Sequence, residues 1–196
     1  MSFISSTVNL HNRVFSGVQS LTQGWFPGLF ARISFSSVLL YYFWNSACTK
    51  VEGGCFQLGM FLIPNSIEAS SGSYSQIIPP IAEHYGYDAS AIPFYWKTIV
   101  YMGTFAEFIL PLMLLLGLFT RLSSLALVGF IAVMTFVDIN FHGADAQTIG
   151  AFFDKVHDSA ISDQRVLWLM PLIALIITGP GKVSLDYLLG RFFPSK

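Results

Sequence analysis

The sequence predicts an all-α, polytopic membrane protein: a four-helix bundle with interfacial amphipathic helices at both termini. Three observations carry this. Only 11% of the 196 residues are charged and 54% are apolar, against about 25% charge in an average soluble domain. The apolar residues gather into four long windows. The remaining charges fall mostly between those windows. The same composition excludes a disordered chain, which needs high charge and few aromatics; here nineteen residues are Phe. No nucleic-acid partner is expected, because the ten basic residues are dispersed and balanced by eleven acidic ones.

Residues 1–27 read as an interfacial amphipathic helix. At about 100° per residue, Phe3, Ile4, Val8, Leu10, Val14, Phe15, Val18, Leu21 and Trp25 fall within an arc of about 160°. Asn12, Arg13, Ser16, Gln19 and Gln23 occupy the rest. Such a helix lies flat at a membrane surface, with Trp25 at headgroup level; packing on a soluble partner is the alternative. No secretory signal is recognisable, since there is no continuous apolar stretch and no early basic cluster.

Residues 28–179 carry the bundle. The spans run over about 28–47, 94–118, 122–139 and 162–178. The first contains Arg32 and the second Glu107; the third is free of charge until Asp138. Buried helices of a soluble protein are the competing reading, but such helices carry a polar face, which these windows lack. A crossing needs about 20 residues. The fourth span is short, so it stands upright, or the bilayer thins, or its ends lie under protein. Gly179, Pro180 and Gly181 stop it. Residues 180–196 then form a short interfacial helix capped by Ser184. Its Leu185, Leu188, Leu189, Phe192 and Phe193 face one way.

Four spans place both termini on one side, with long loops 48–93 and 140–161 on the other. The terminal side holds six basic residues, Arg13, Arg32, Arg121, Lys182, Arg191 and Lys196, and the loop side four, Lys50, Lys97, Lys155 and Arg165. Basic residues favour the cytoplasm. The expected location is therefore the bacterial inner membrane, multi-pass, with both termini cytoplasmic. Cys48 and Cys55 are the only cysteines, with Gly53 and Gly54 letting the chain turn between them. In an oxidising compartment they are free to bridge, and so short a loop restricts the unfolded chain by about 2.5 kcal/mol. Free thiols are the alternative. A redox-active pair fits poorly, because thioredoxin-like chemistry uses a closer spacing.

Charges inside a span cost about 2.5–3.5 kcal/mol each, so Arg32 and Glu107 are informative. Helical rise puts them within roughly 10 Å in depth, and Arg121 opens the third span at that level. Arg32, Glu107 and Arg121 are expected to form one buried polar cluster at the cytoplasmic half. Two readings of it stay open: a structural ion pair that fixes register, or a proton relay at Glu107 beside a ligand pocket. At the other end stand Asn45, Lys97, Asp138, Asn140 and His142, with Tyr41, Tyr42 and Trp44 as an aromatic belt. His142 and Asp138, four apart, are weak metal candidates, since a site needs three or four converging ligands. No metal site, phosphate loop, dinucleotide fingerprint, nucleophile elbow or haem-binding His pair is recognisable.

Three segments resemble one family. The first span opens Ala31-Arg32-Ile33. The second carries Ala106-Glu107, then Leu112 to Leu116, Gly117, Leu118, Thr120 and Arg121. The fourth ends Gly179-Pro180-Gly181-Lys182-Val183-Ser184-Leu185-Asp186. In order and spacing these resemble the DoxX family of four-span bacterial membrane proteins. The long first loop and the N-terminal helix depart from its pattern. The resemblance implies a redox-linked membrane subunit, associated with thiosulfate oxidation and quinone reduction. Wider relatives act in methylamine-dehydrogenase maturation or as cargo receptors. Arg32, Glu107 and Arg121 match family positions, which carries over their importance and not a catalytic role.

Two functions are therefore weighed. In the first, the chain is a redox-linked subunit that binds quinone near Glu107, with Trp44, Tyr101 and Phe105 as contacts. It has no covalently bound cofactor and no electron carrier of its own, so a protein partner, such as a redox subunit encoded beside it, supplies electrons. In the second, it is a non-enzymatic scaffold or receptor whose outer loops bind an exported protein or a metal-handling partner. A pocket reaching Glu107 discriminates them.

Overall fold

The computed structural model describes residues 2–193; Lys196, one of the six terminal-side bases, lies outside the described residues. In chain order the elements are α1 (Ser2–Thr22), α2 (Phe26–Cys48), β1 (Cys55–Leu58), β2 (Phe61–Pro64), α3 (Ser71–Ile77), α4 (Pro79–His84), α5 (Phe94–Leu116), α6 (Thr120–Asn140), α7 (Ala146–Ile149), α8 (Ser162–Thr178) and α9 (Leu185–Phe192). The chain is mostly helical, and α2, α5 and α6 are long and apolar enough to cross a membrane. At 17 residues, α8 is shorter than a crossing ordinarily needs.

The elements start and stop where local chemistry directs. Pro27 sits in the first turn of α2, where its missing N–H costs nothing. Gly117 ends α5 in the left-handed region, φ +69°, which glycine adopts without a Cβ penalty. Ser184 caps α9, its hydroxyl accepting from the Tyr187 N–H at 3.1 Å. α2 packs on α5 and α8, and α6 packs on the same two helices. Phe35, Leu39 and Phe43 of α2 meet Leu114, Leu127, Ile131, Leu172 and Leu175 in one core. Side chains facing away from this core are also apolar: Val38, Ile109, Leu125 and Ile173 are exposed. A core surrounded by an apolar exterior belongs in lipid, where close packing holds helices together.

The two ends of these helices differ. At the end bearing both terminal segments the backbones touch. Lys182 donates its N–H to the Gly24 carbonyl at 2.8 Å, and a Cβ on Gly28 would stand 2.5 Å from the Pro180 carbonyl. At the opposite end the first long loop is folded, which corrects the all-α expectation. β1 and β2 form an antiparallel hairpin, with Leu58 opposite Phe61. Its two-residue turn uses Gly59 at φ +61°. The Tyr41 hydroxyl donates to the Met60 carbonyl at 2.6 Å and ties the hairpin to α2. Cys48 and Cys55 are joined by a disulfide. Tyr74, Ile78, Ala82, Ile92 and Val100 form a second core, which lays α3 and α4 beside the start of α5.

Two outcomes test this arrangement. Gly28→Ala lowers the melting temperature of the purified protein, at a cost of about 1–3 kcal/mol for forced overpacking. Gly17→Ala, whose added carbon meets nothing within 4 Å, does not. Alkylation without reductant labels neither cysteine by mass spectrometry, and reduction exposes both.

Candidate functional site

Polar groups cluster at both ends of the helices, and each cluster solves a different problem. A helix leaves its last four carbonyls without intrahelical partners. At the terminal end, Arg32 takes up two backbone carbonyls. It donates through Nη1 to Leu115, near the end of α5, at 2.8 Å, and through Nη2 to Val183. A Cβ on Gly117 would lie 2.6 Å from that same Nη1, so the guanidinium rests directly on the glycine. The Asp186 carboxylate accepts from the N–H groups of Phe119, at 2.6 Å, and Thr120, at 2.8 Å, and so caps the start of α6. Arg121 is exposed and donates to the Ile177 carbonyl, in the last turn of α8, at 3.3 Å. The segments 117–121 and 179–186 therefore clasp one another through backbone groups.

This divides the expected cluster of Arg32, Glu107 and Arg121. Both arginines bind the open carbonyls of helix ends, and Glu107 pairs with neither. Its partner is Lys50, Nζ to Oε2 2.9 Å, with both side chains almost wholly buried. Lys50 also donates to the Ser46 hydroxyl at 2.6 Å and to the Ser46 carbonyl at 3.1 Å, so all three ammonium protons are used. Glu107 also stands at a different level from the one expected. The Trp44 indole N–H donates to the Phe108 carbonyl at 3.0 Å, which sets this turn of α5 beside the last turn of α2. The earlier turns of α5 continue past the end of α2. Pro111, inside α5, lacks an N–H and crowds the carbonyl of Glu107, loosening the helix there.

Lys50 reaches Glu107 because the loop folds back. Its own N–H donates to the Ala47 carbonyl, and its carbonyl accepts from the Ser70 N–H, both at 2.9 Å. Val51 bridges to Ala69, and the Cys48–Cys55 disulfide closes the turn around it.

The ion pair borders a cavity of about 560 Å³. Ile99, Met102, Leu110, Phe130, Val133 and Met134 give it apolar walls; Tyr42, Ser46, Lys50, Gln76, Glu107, Asp138 and His142 give it polar ones. Gly103 and Ala106 of α5, with Ala126 and Gly129 of α6, also line it, and their small side chains leave the space open. Of the expected ligand contacts, none lines the cavity. Trp44 is buried against α5. Tyr101 lies within electrostatic reach of Tyr74 on α3, whose own hydroxyl is pushed above its usual pKa first by burial and then by Tyr101. Phe105 packs on Phe108. Tyr42 and Phe130 take their place.

Asp138 and His142 do meet, Oδ1 to Nδ1 2.9 Å. The other Asp138 oxygen binds Arg165 of α8, which also donates to the Thr135 hydroxyl at 2.7 Å. Among the described residues no three His, Cys, Asp or Glu side chains are grouped to hold a metal ion. Sequence reasoning missed Lys50 and Arg165 as partners. The available signal was their position: Lys50 follows a span end by two residues, with Ser46 four positions before it, and Arg165 opens the fourth span facing a lone Asp138.

Apolar helices around a buried ion pair and a cavity define a polytopic membrane protein whose polar chemistry is internal. The DoxX family model matches residues 28–139, more than half of the chain, and the chain belongs to the DoxX family. The matched region takes in Arg32, Lys50, Glu107, Arg121 and Asp138. Neither a curated protein nor a solved structure matches the chain.

Removing one partner of a buried pair strands the other. Lys50→Met and Glu107→Gln each destabilise the protein by about 3–5 kcal/mol. The double variant recovers part of that loss, read by thermal unfolding in one detergent.

Proposed function

We propose that this protein is a quinone-interacting subunit of a redox-linked system in the bacterial cytoplasmic membrane. The observation that carries the reading is the cavity that reaches the Glu107–Lys50 pair. Its apolar walls suit an isoprenoid tail. Its polar end offers the Tyr42 phenol as a donor and the Glu107 carboxylate as a proton acceptor, which suits a headgroup with carbonyl oxygens. The chain supplies the binding site and the proton acceptor; a partner protein supplies electrons.

In this reading α2, α5, α6 and α8 are four spans, with the shorter α8 supported along α2 and α6. Helices α1 and α9 lie in the interface. Both expose long apolar side chains, among them Phe3, Ile4, Leu10, Leu21, Leu188 and Phe192, with nothing but lipid headgroups to cover them. The six-to-four excess of basic residues sets both termini in the cytoplasm. The disulfide end then faces the oxidising side.

Organic extraction of the purified protein, followed by mass spectrometry, tests this. Quinone co-purifies with the wild type and falls by about tenfold in Tyr42→Phe, which removes one hydrogen-bond donor from the cavity. Repeated absence of quinone, with a protein retained in its place, favours the receptor reading.

A further inference from the structure

The cavity has polar groups that the proposed quinone contact leaves unused. Glu107 is only 4% exposed, so bulk water does not reach it directly. Any proton it gains or gives has to cross the cavity. Of the polar groups lining that same cavity, Tyr42 is 42% exposed, the His142 side chain 38% and the Asp138 side chain 25%.

The geometry around His142 is fixed. Asp138 holds its Nδ1 at 2.9 Å. Asp138 is itself held by Arg165, and Arg165 by Thr135. A histidine oriented by a carboxylate keeps one ring nitrogen bonded and presents the other. Tyr42 borders the same cavity as this group and the buried pair. Its phenol lines the cavity and lies within electrostatic reach of Arg165, Asp138 and Glu107. The charged groups lining the cavity are Lys50 beyond α2, Glu107 on α5 and Asp138 on α6, and Arg165 of α8 stands behind Asp138. Each charge is met by an opposite one, Lys50 with Glu107 and Arg165 with Asp138. His142 remains as the group that exchanges protons without breaking either pair.

We propose that His142, oriented by Asp138 and Arg165, is the proton port of the Glu107 cavity. A proton taken from water at the imidazole passes to the Tyr42 oxygen as Tyr42 releases its own. Cavity water carries that proton to the Glu107 carboxylate, which becomes a carboxyl. The cavity is polar and roomy enough to hold such water. No electron moves, and release runs the same route backwards. The port serves the proposed quinone site, because a headgroup exchanging protons with Glu107 draws on it. Its test does not require a quinone.

The protein is placed in lipid nanodiscs and followed by time-resolved infrared spectroscopy after a jump from about pH 9 to about pH 5. The carboxyl band of Glu107 is identified by its loss in Glu107→Gln. His142→Gln, at an exposed position, slows the appearance of that band by about tenfold or more and leaves its final amplitude unchanged. Tyr42→Phe slows it likewise. Imidazole added to the bath restores the rate in His142→Gln. His157→Gln, which alters an exposed histidine of the same long loop that does not line the cavity, changes nothing. An unaltered rate in His142→Gln overturns the proposal, and so does a Glu107 that shows no carboxyl band at either pH. Binding of a short-tailed ubiquinone analogue is measured on the same samples. Failure of the wild type to bind it sinks the quinone reading alone; binding with an unaltered proton rate sinks the port alone.

Discussion

An ionised carboxylate in an apolar surrounding has to be met by a cation, and much of the loop end of this protein follows from meeting Glu107. No base on the four long helices does so. The cation comes from Lys50, two residues beyond α2. Bringing it in requires the chain to turn back at once after the helix, and the disulfide, the hairpin and the Val51–Ala69 bridge hold that turn. A buried pair of this kind is weak evidence for stability, since desolvation consumes most of the Coulombic gain. Its presence beside a cavity points to use.

The terminal end is governed by backbone hydrogen bonding. Water is absent from a bilayer core, so carbonyls freed at helix ends need partners within the protein. Arg32 and Arg121 serve two of these carbonyls, those of Leu115 and Ile177, Arg32 also takes the Val183 carbonyl before α9, and Asp186 serves the amides at the start of α6. Two of the three residues expected in one polar cluster, Arg32 and Arg121, are thus occupied in joining helix ends. The buried ion pair and the cavity lie at the other end, beside the long first loop.

The spans were legible because apolar helical windows are local. The four windows became α2, α5, α6 and α8, each end within two residues. The Ser184 cap and the glycine stops were legible for the same reason. The polar partners were not. A guanidinium bound to carbonyls leaves no mark in residue types, since every residue has a carbonyl. The Lys50 contact depends on a loop folded by pairings twenty residues apart, such as Lys50 with Ser70. Glu107 and Arg32 do not share a depth, because α2 and α5 do not begin and end at common levels. The Trp44–Phe108 bond shows that they are offset along the bundle.

That offset has a consequence for the surrounding lipid. At about 1.5 Å per residue, α5 is about 35 Å long and α8 about 26 Å. A hydrocarbon layer of about 30 Å matches neither. In the proposed four-span bundle the membrane thickens along α5 and thins along α8, at a fraction of a kcal/mol for each ångström. Lipids with longer and shorter tails sort to opposite faces, and the protein leans toward its short side. The cavity opens between α5 and α6, along the thickened flank.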